Sequence, residues 1–564
     1  MRRSSDVPPG LGSCFALSQG SVRRGGLHPG LFSCVPSGEQ SPGPSILRWL
    51  SRNLFSGPVL RSAQDDKVER RVLRSGQDDS STLDDSGKLV TEKKNASEGN
   101  SQQLDVLCHA AWHSLGWLFI ANVIGVWLAV CLLYPSAGAW LRDWSYGRWM
   151  PVHLNFLLYG WMALPLVAWA MRIYGADRSW VSVWSRAALL VWSLALTIGG
   201  VSWLQGSSSG KLFLDWSGFA RILFPLAILF VWFVLVVSYV RGWRDVENRG
   251  LSVRAVKVFG LLLLLLIPFV LYKASSPAIY PAVNPDTGGP TGASQMESTL
   301  IIVLILLLLP YGLTRRRENG QRWIVTAWIA VLMEAGLCLV LGRGDVRHHQ
   351  PVQFVSLGSL LVWVPLVPAY FNAFEWPRTT RPWRIATFAW WAMLVPTGWA
   401  LFLPGVLDRF KFTDGLVGHS ILAMAGFATS LLMLVLGVVL EGDGEVLNSR
   451  WAFIAWHGAT LAYVVLFLFA GWREGGDPTF TMVPGPARNI LYVARLILGI
   501  AMTAASADWL YWLSRRLRAG SSSAAGHSSG FPGYAPKPSS PGNFKATPDG
   551  EIAEVAPYSE GRHA

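Results

Sequence analysis

The chain has 564 residues, of which 51% are hydrophobic and 15% charged, with a positive mean hydropathy and a formal net charge of +13. A soluble domain carries roughly a quarter charged residues, so this balance excludes an ordinary soluble protein and points to a polytopic membrane protein. The basic excess falls largely in short loops between apolar runs, so no nucleic-acid partner is needed to explain it.

The first hundred residues are rich in Ser, Gly, Arg and Asp, have no hydrophobic period, and contain the near-repeat RSAQDD at 61–66 and RSGQDD at 74–79. Such a segment cannot bury enough apolar surface to fold, and it lacks the apolar h-region of a signal peptide. Residues 1–105 are therefore read as a disordered leader. Two origins stay open: a natural tail, or a start codon placed ahead of a true start near Leu89 or Val90.

A hydrocarbon core about 30 Å thick needs ~20 apolar residues per helix, because backbone groups in lipid must be satisfied within the segment. Twelve runs meet this: 115–134, 152–173, 181–206, 222–240, 256–272, 298–313, 323–341, 354–374, 387–406, 416–440, 451–470 and 490–513. Several are short or carry a proline (Pro268, Pro365, Pro368, Pro396). The expected fold is all-α: about twelve transmembrane helices in a single bundle over 106–518, followed by a Ser/Gly/Pro-rich disordered tail over 519–564.

Lys and Arg in short loops mark the cytoplasmic side. Loops after even-numbered runs hold Arg241, Arg244, Arg249, Arg254 and Lys257, then Arg315, Arg316, Arg317 and Arg322, then Arg378, Arg381 and Arg384; the tail adds Arg515, Arg516 and Arg518. Loops after odd-numbered runs rarely exceed two, as in Arg142/Arg148 or Arg409/Lys411. Both termini are expected in the cytoplasm, in a bacterial-type inner membrane. The five cysteines (Cys14, Cys34, Cys108, Cys131, Cys338) imply no disulfide framework and no CxxC site.

This orientation places the histidines by depth. His153 in MPVHLNFLLYGW stands in the first turn of the second run, His348 and His349 lie just past the outer end of the seventh, and His419 in DGLVGHSILAMAG falls in the first turn of the tenth. All four reach one level near the outer face, whereas His109, His113 and His457 lie near the inner face. A lone histidine at a helix end is most often a satisfied interfacial residue, but histidines within spans usually face the bundle interior and mark relays or metal sites. Glu297 and Glu334 are the ionisable residues at membrane depth, candidates for proton handling; Glu297, near a helix amino terminus, is also where a helix dipole favours a carboxylate. The 29 tryptophans read mainly as interface anchors.

In this order, from about residue 110 to 515, the chain resembles subunit I of the heme-copper oxidases, which include cytochrome c oxidases and bacterial nitric oxide reductases. RWMPVHLNFLLYGW is similar to the family's second helix, RHHQPVQFVSLGSLLVWVPLVPAYFNAFEW to its paired copper ligands and eighth helix, and KFTDGLVGHSILAMAG to its tenth. The resemblance implies His153 as an axial ligand of a low-spin heme and His419 as the ligand of a high-spin heme. It also implies His348 and His349 as copper ligands, and Arg347 and Arg473, with Arg343, as partners of heme propionates. One or two hemes and a copper ion would then be cofactors. Other respiratory-complex subunits and a cytochrome c or quinol donor would be partners, beside membrane lipid.

The departures are specific. The family's tenth helix carries His-x-His, two residues about 200° apart that reach different hemes; here the second position is Ile421, with Met424 the nearest substitute. The copper-ligating histidine of the sixth helix is replaced at about Ser298, beside Glu297, and the tyrosine that oxidases couple to copper has no counterpart. Two further readings follow: a scaffold paralogue that keeps the fold without redox chemistry, and a secondary transporter. The transporter reading requires two related halves, and the sequence displays none.

Overall fold

The computed structural model describes residues 85–524 except 142, 212, 246–247, 249, 277, 279–291 and 342–349, and describes only the backbone of 85–104, 139, 292–295, 353 and 520–524. Residues up to Gly520 form one unit; of the second, Ser521–Ala564, only the first four residues are described.

Eleven helices among the described residues are long and apolar enough to cross a membrane: α1 (Asp105–Leu133), α2 (Tyr146–Tyr174), α3 (Ser179–Leu204), α4 (Ala220–Arg241), α5 (Leu251–Ala274), α6 (Met296–Leu313), α7 (Glu318–Leu341), α8 (Phe354–Phe371), α10 (Asp414–Val439), α11 (Arg450–Glu474) and α12 (Pro486–Ala519). The chain is thus an all-α multi-pass membrane protein. The remaining expected run is α9 (Arg381–Leu401), which is less apolar than the others because it carries four tryptophans and two arginines.

Helix α9 nevertheless traverses the bundle, as cross-links between elements demonstrate. On one face, Asn448 after α10 donates to the Thr379 carbonyl just before α9 at 2.9 Å, and Arg516 near the end of α12 and Cys108 near the start of α1 both bond Asp443 after α10. At its far end α9 reaches the other face, where the Trp399 indole donates to the Phe354 carbonyl at the start of α8 at 3.1 Å. The first and last helices therefore meet on one face, which requires an even number of crossings. The α9 tryptophans are spent inside the protein: Trp391 donates to the Trp363 carbonyl and Trp390 to His457 Nδ1.

The basic loops gather on that same face. A short antiparallel ribbon pairs β1 (Arg315–Arg316) with β2 (Phe374–Glu375), Arg172 bonds Glu441, and Arg178 bonds Asp245. On the opposite face Lys211 donates to the carbonyls of Ala274 and Ser276, and Arg148 to that of Leu204.

The backbone helix that becomes α1 begins at Asp85, twenty residues before its membrane-spanning part, so the end of the expected leader is helical.

Candidate functional site: a histidine at a membrane-embedded cavity

Helices α2 and α10 are built alike. Each carries a seven-residue π-helical segment, Phe156–Met162 and Leu422–Ala428, starting three residues after His153 and His419 respectively. Widening to i→i+5 leaves carbonyls without their usual partner. In both helices the carbonyl six residues beyond the histidine accepts an indole N–H: Tyr159 from Trp192 on α3 and Ala425 from Trp456 on α11, each at 2.9 Å. Seven residues beyond each histidine stands a glycine against a tryptophan of the preceding helix. A Cβ on Gly160 would come to 2.5 Å from Trp117, and one on Gly426 to 2.6 Å from Trp390. The indoles of those two tryptophans donate to Ser193 and to His457. Helices α2 and α10 therefore share one local design with their neighbours, and its trace in the sequence is the His-x6-Gly spacing common to HLNFLLYG and HSILAMAG. Trp161 of α2 ties the two together by donating to Thr429 Oγ1 of α10 at 3.1 Å.

Both histidine rings rest on a glycine of the helix before: His153 on Gly125, His419 on Gly398. Their Nδ1 atoms are also engaged. His153 Nδ1 donates to the Ala121 carbonyl at 2.7 Å. Thr397 Oγ1, whose own proton goes to the Met393 carbonyl at 2.6 Å, accepts a long bond of 3.4 Å from His419 Nδ1. A proton on Nδ1 leaves Nε2 with its lone pair, the tautomer in which imidazole serves as a metal ligand.

The two sites then diverge. His419 lines a cavity of 2650 Å³, together with Leu394, Gly398, Trp399, Leu416 and Met424. This volume belongs to the whole cavity, which extends well beyond His419 toward the other end of the bundle. His153 does not line this cavity, and its described contacts are with α1. Met424 borders the His419 cavity rather than a space at His153, because the π segment re-phases the helix faces after Ile421. The position two beyond His153 is Asn155, which is fully buried and donates at 3.0 Å to Asp215, a 4%-exposed carboxylate in the loop before α4. Burial pushes the Asp215 carboxyl above its ordinary range, partly opposed by the bonds from Asn155 and Ser208.

Ser298 and Thr299 line the same cavity as His419, in the region where the resemblance calls for a third copper imidazole. His348, His349, Arg343 and Arg347 lie outside the described residues. Among the described ones no group of three or more His, Cys, Asp and Glu is arranged to hold a metal ion. Arg473 is exposed, stacked 5.4 Å over Phe480, and does not line the cavity. Glu334 is buried in α7 and accepts from Ser359 at 2.8 Å, away from the cavity wall.

These features define a multi-pass all-α membrane protein whose α10 histidine faces a large apolar cavity. No protein-family model matches the chain, and no curated protein matches it.

Proposed function

We propose that this chain is a divergent, heme-binding member of the heme-copper oxidase subunit I type, in which His419 would hold the iron of one heme. The observation that carries this reading is the His419 ring, with Nδ1 toward Thr397 Oγ1, Gly398 against its edge and the cavity beside it. The residues fit one such group: a single imidazole suffices where porphyrin supplies the other ligands, and the wall of Leu394, Trp399 and Leu416 suits a flat apolar ring. Thr397 Oγ1 favours the Nδ1–H tautomer, Gly398 leaves room beside the Cε1–Nε2 edge, and the wall next to His419 is apolar. When bound, the heme would supply an open iron position for electron transfer or a small ligand. His153, packed on α1 and with Ile421 rather than a second imidazole on α10, fits a second heme less well. Copper forms no part of this proposal, because Ser298 offers a hard hydroxyl where Cu(I) prefers softer ligands. The setting would be a bacterial-type inner membrane with both termini cytoplasmic, beside other respiratory-complex subunits and a cytochrome c or quinol donor.

Ile421 and Ser298 favour one second reading, a scaffold paralogue that keeps the fold and carries no redox chemistry. A pyridine hemochrome count on the purified protein separates the two. One heme per chain, lost in His419→Ala, supports the proposal; a folded protein that holds none, even after heme is supplied, overturns it in favour of the scaffold.

A further inference from the structure

The cavity that reaches His419 is far longer than that site needs. It continues between α2, α5, α6 and α7 to the basic face, where Arg172, Arg178, Lys257, Arg315 and Arg316 line it along with Asp177, Glu375 and Glu441. Counting Asp245, which Arg178 bonds, five cations stand against four carboxylates (Asp177, Glu375, Glu441 and Asp245), so the mouth carries a surplus of one positive charge. Between these ends the wall is apolar and open to the side. Leu263 and Ile267 of α5 and Ile302, Ile305 and Leu308 of α6 line the cavity while each remains 44–49% exposed. Helix α5 packs along α4, holding the Trp232 indole at the Leu261 carbonyl, and meets α2 at its basic end through Tyr174 and Lys257; it packs on α6 to no comparable extent. Both rims therefore face the bilayer across a gap.

We propose that the part of the cavity toward the basic face is a binding site for one bilayer phospholipid with an anionic head group. Its acyl chains lie between α5 and α6 and its phosphate is held at Arg315 and Arg316. A long apolar slot open to lipid with an excess of cations at one end is complementary to such a molecule, and guanidinium is suited to bidentate phosphate recognition. A free phosphate would leave the slot unfilled. The site lies at the end of the cavity opposite His419 and stands whether or not heme binds there.

The test uses the full chain in mild detergent with phosphatidylglycerol and phosphatidylcholine bearing a photoreactive acyl chain. Phosphatidylglycerol adducts are expected to concentrate at residues 263–267 and 302–308, with phosphatidylcholine competing at least about tenfold less well. An arginine near an anionic headgroup layer is worth roughly fivefold in binding, so Arg315→Gln/Arg316→Gln should weaken phosphatidylglycerol labelling roughly 25-fold. Arg241→Gln/Arg244→Gln, on the same face but off the cavity, should leave it unchanged. Equal labelling by the two lipids, adducts spread evenly over the outer surface, or undiminished labelling of the Arg315/Arg316 variant would each overturn the proposal. So would labelling that disappears in native membranes, which would mean that a partner's helix fills the gap. If the double variant does not fold, the wild-type competition and adduct map decide.

Discussion

The indole of Trp456 donates to the Ala425 carbonyl at 2.9 Å, repeating on α10 what Trp192 does for Tyr159 on α2. Each bond satisfies a π-segment carbonyl in a region with no water to take its place. Trp456→Phe and Trp192→Phe should each destabilise the protein by roughly 1–3 kcal/mol, the cost of leaving a buried acceptor unmade. Thermal unfolding in detergent reads this out, and a melting point unchanged in both variants would contradict it.

His419→Ala should abolish bound heme while the protein still folds, because the ring stands at a cavity edge. His153→Ala should leave the heme count unaltered but lower stability, since that ring is packed on Gly125 and bonded to the Ala121 carbonyl. The hemochrome count and the melting point of the two variants separate these effects; loss of heme from the His153 variant alone would reverse the assignment.

The supporting glycines predict an asymmetry. A Cβ at position 398 would sit 3.5 Å from His419 Cε1, an ordinary contact, whereas one at 125 would sit 2.8 Å from His153 Cε1. Gly125→Ala should therefore cost roughly 1–3 kcal/mol as an overpacked site, and Gly398→Ala much less. Gly398→Val, which projects further beside His419, should lose heme without comparable loss of melting temperature.

Asp215 makes stability depend on pH. Its folded carboxyl titrates above the ordinary value of 3.8, chiefly because it is buried. Folding then binds a proton more readily than unfolding does, so its contribution is fully present below that ordinary value and is lost as pH rises through the folded one. The melting temperature should fall on this account as pH is raised above 3.8, and Asp215→Asn should flatten the fall. A variant with the same pH slope as the wild type would show that other groups govern it.

Topology is testable without any cofactor. Ser207 and Pro478 are exposed on the face opposite the basic loops, and Glu318 and Arg378 on the basic one. With the basic face cytoplasmic, an impermeant thiol reagent applied to intact cells should label Ser207→Cys and Pro478→Cys and miss Glu318→Cys and Arg378→Cys. The opposite pattern would invert the orientation.

The sequence by itself determined the membrane class and nearly all of the helices, because a span in lipid must be long, apolar and internally hydrogen-bonded, and that constraint is local. It also picked out His419, whose context is carried by adjacent residues. Helix α9 stood out less in hydropathy, since its tryptophans find partners only across the bundle, at Trp363, Phe354 and His457. The shared design of α2 and α10 left little more than two His-x6-Gly spacings in the chain, as Ser193 and His457 share a role as indole acceptor without sharing a residue type. Only the tertiary structure decided that His419 faces a cavity while His153 does not, and that the same cavity runs on to arginines far away in sequence. Empty volume belongs to how helices are spaced, and no single helix encodes its distance from the next.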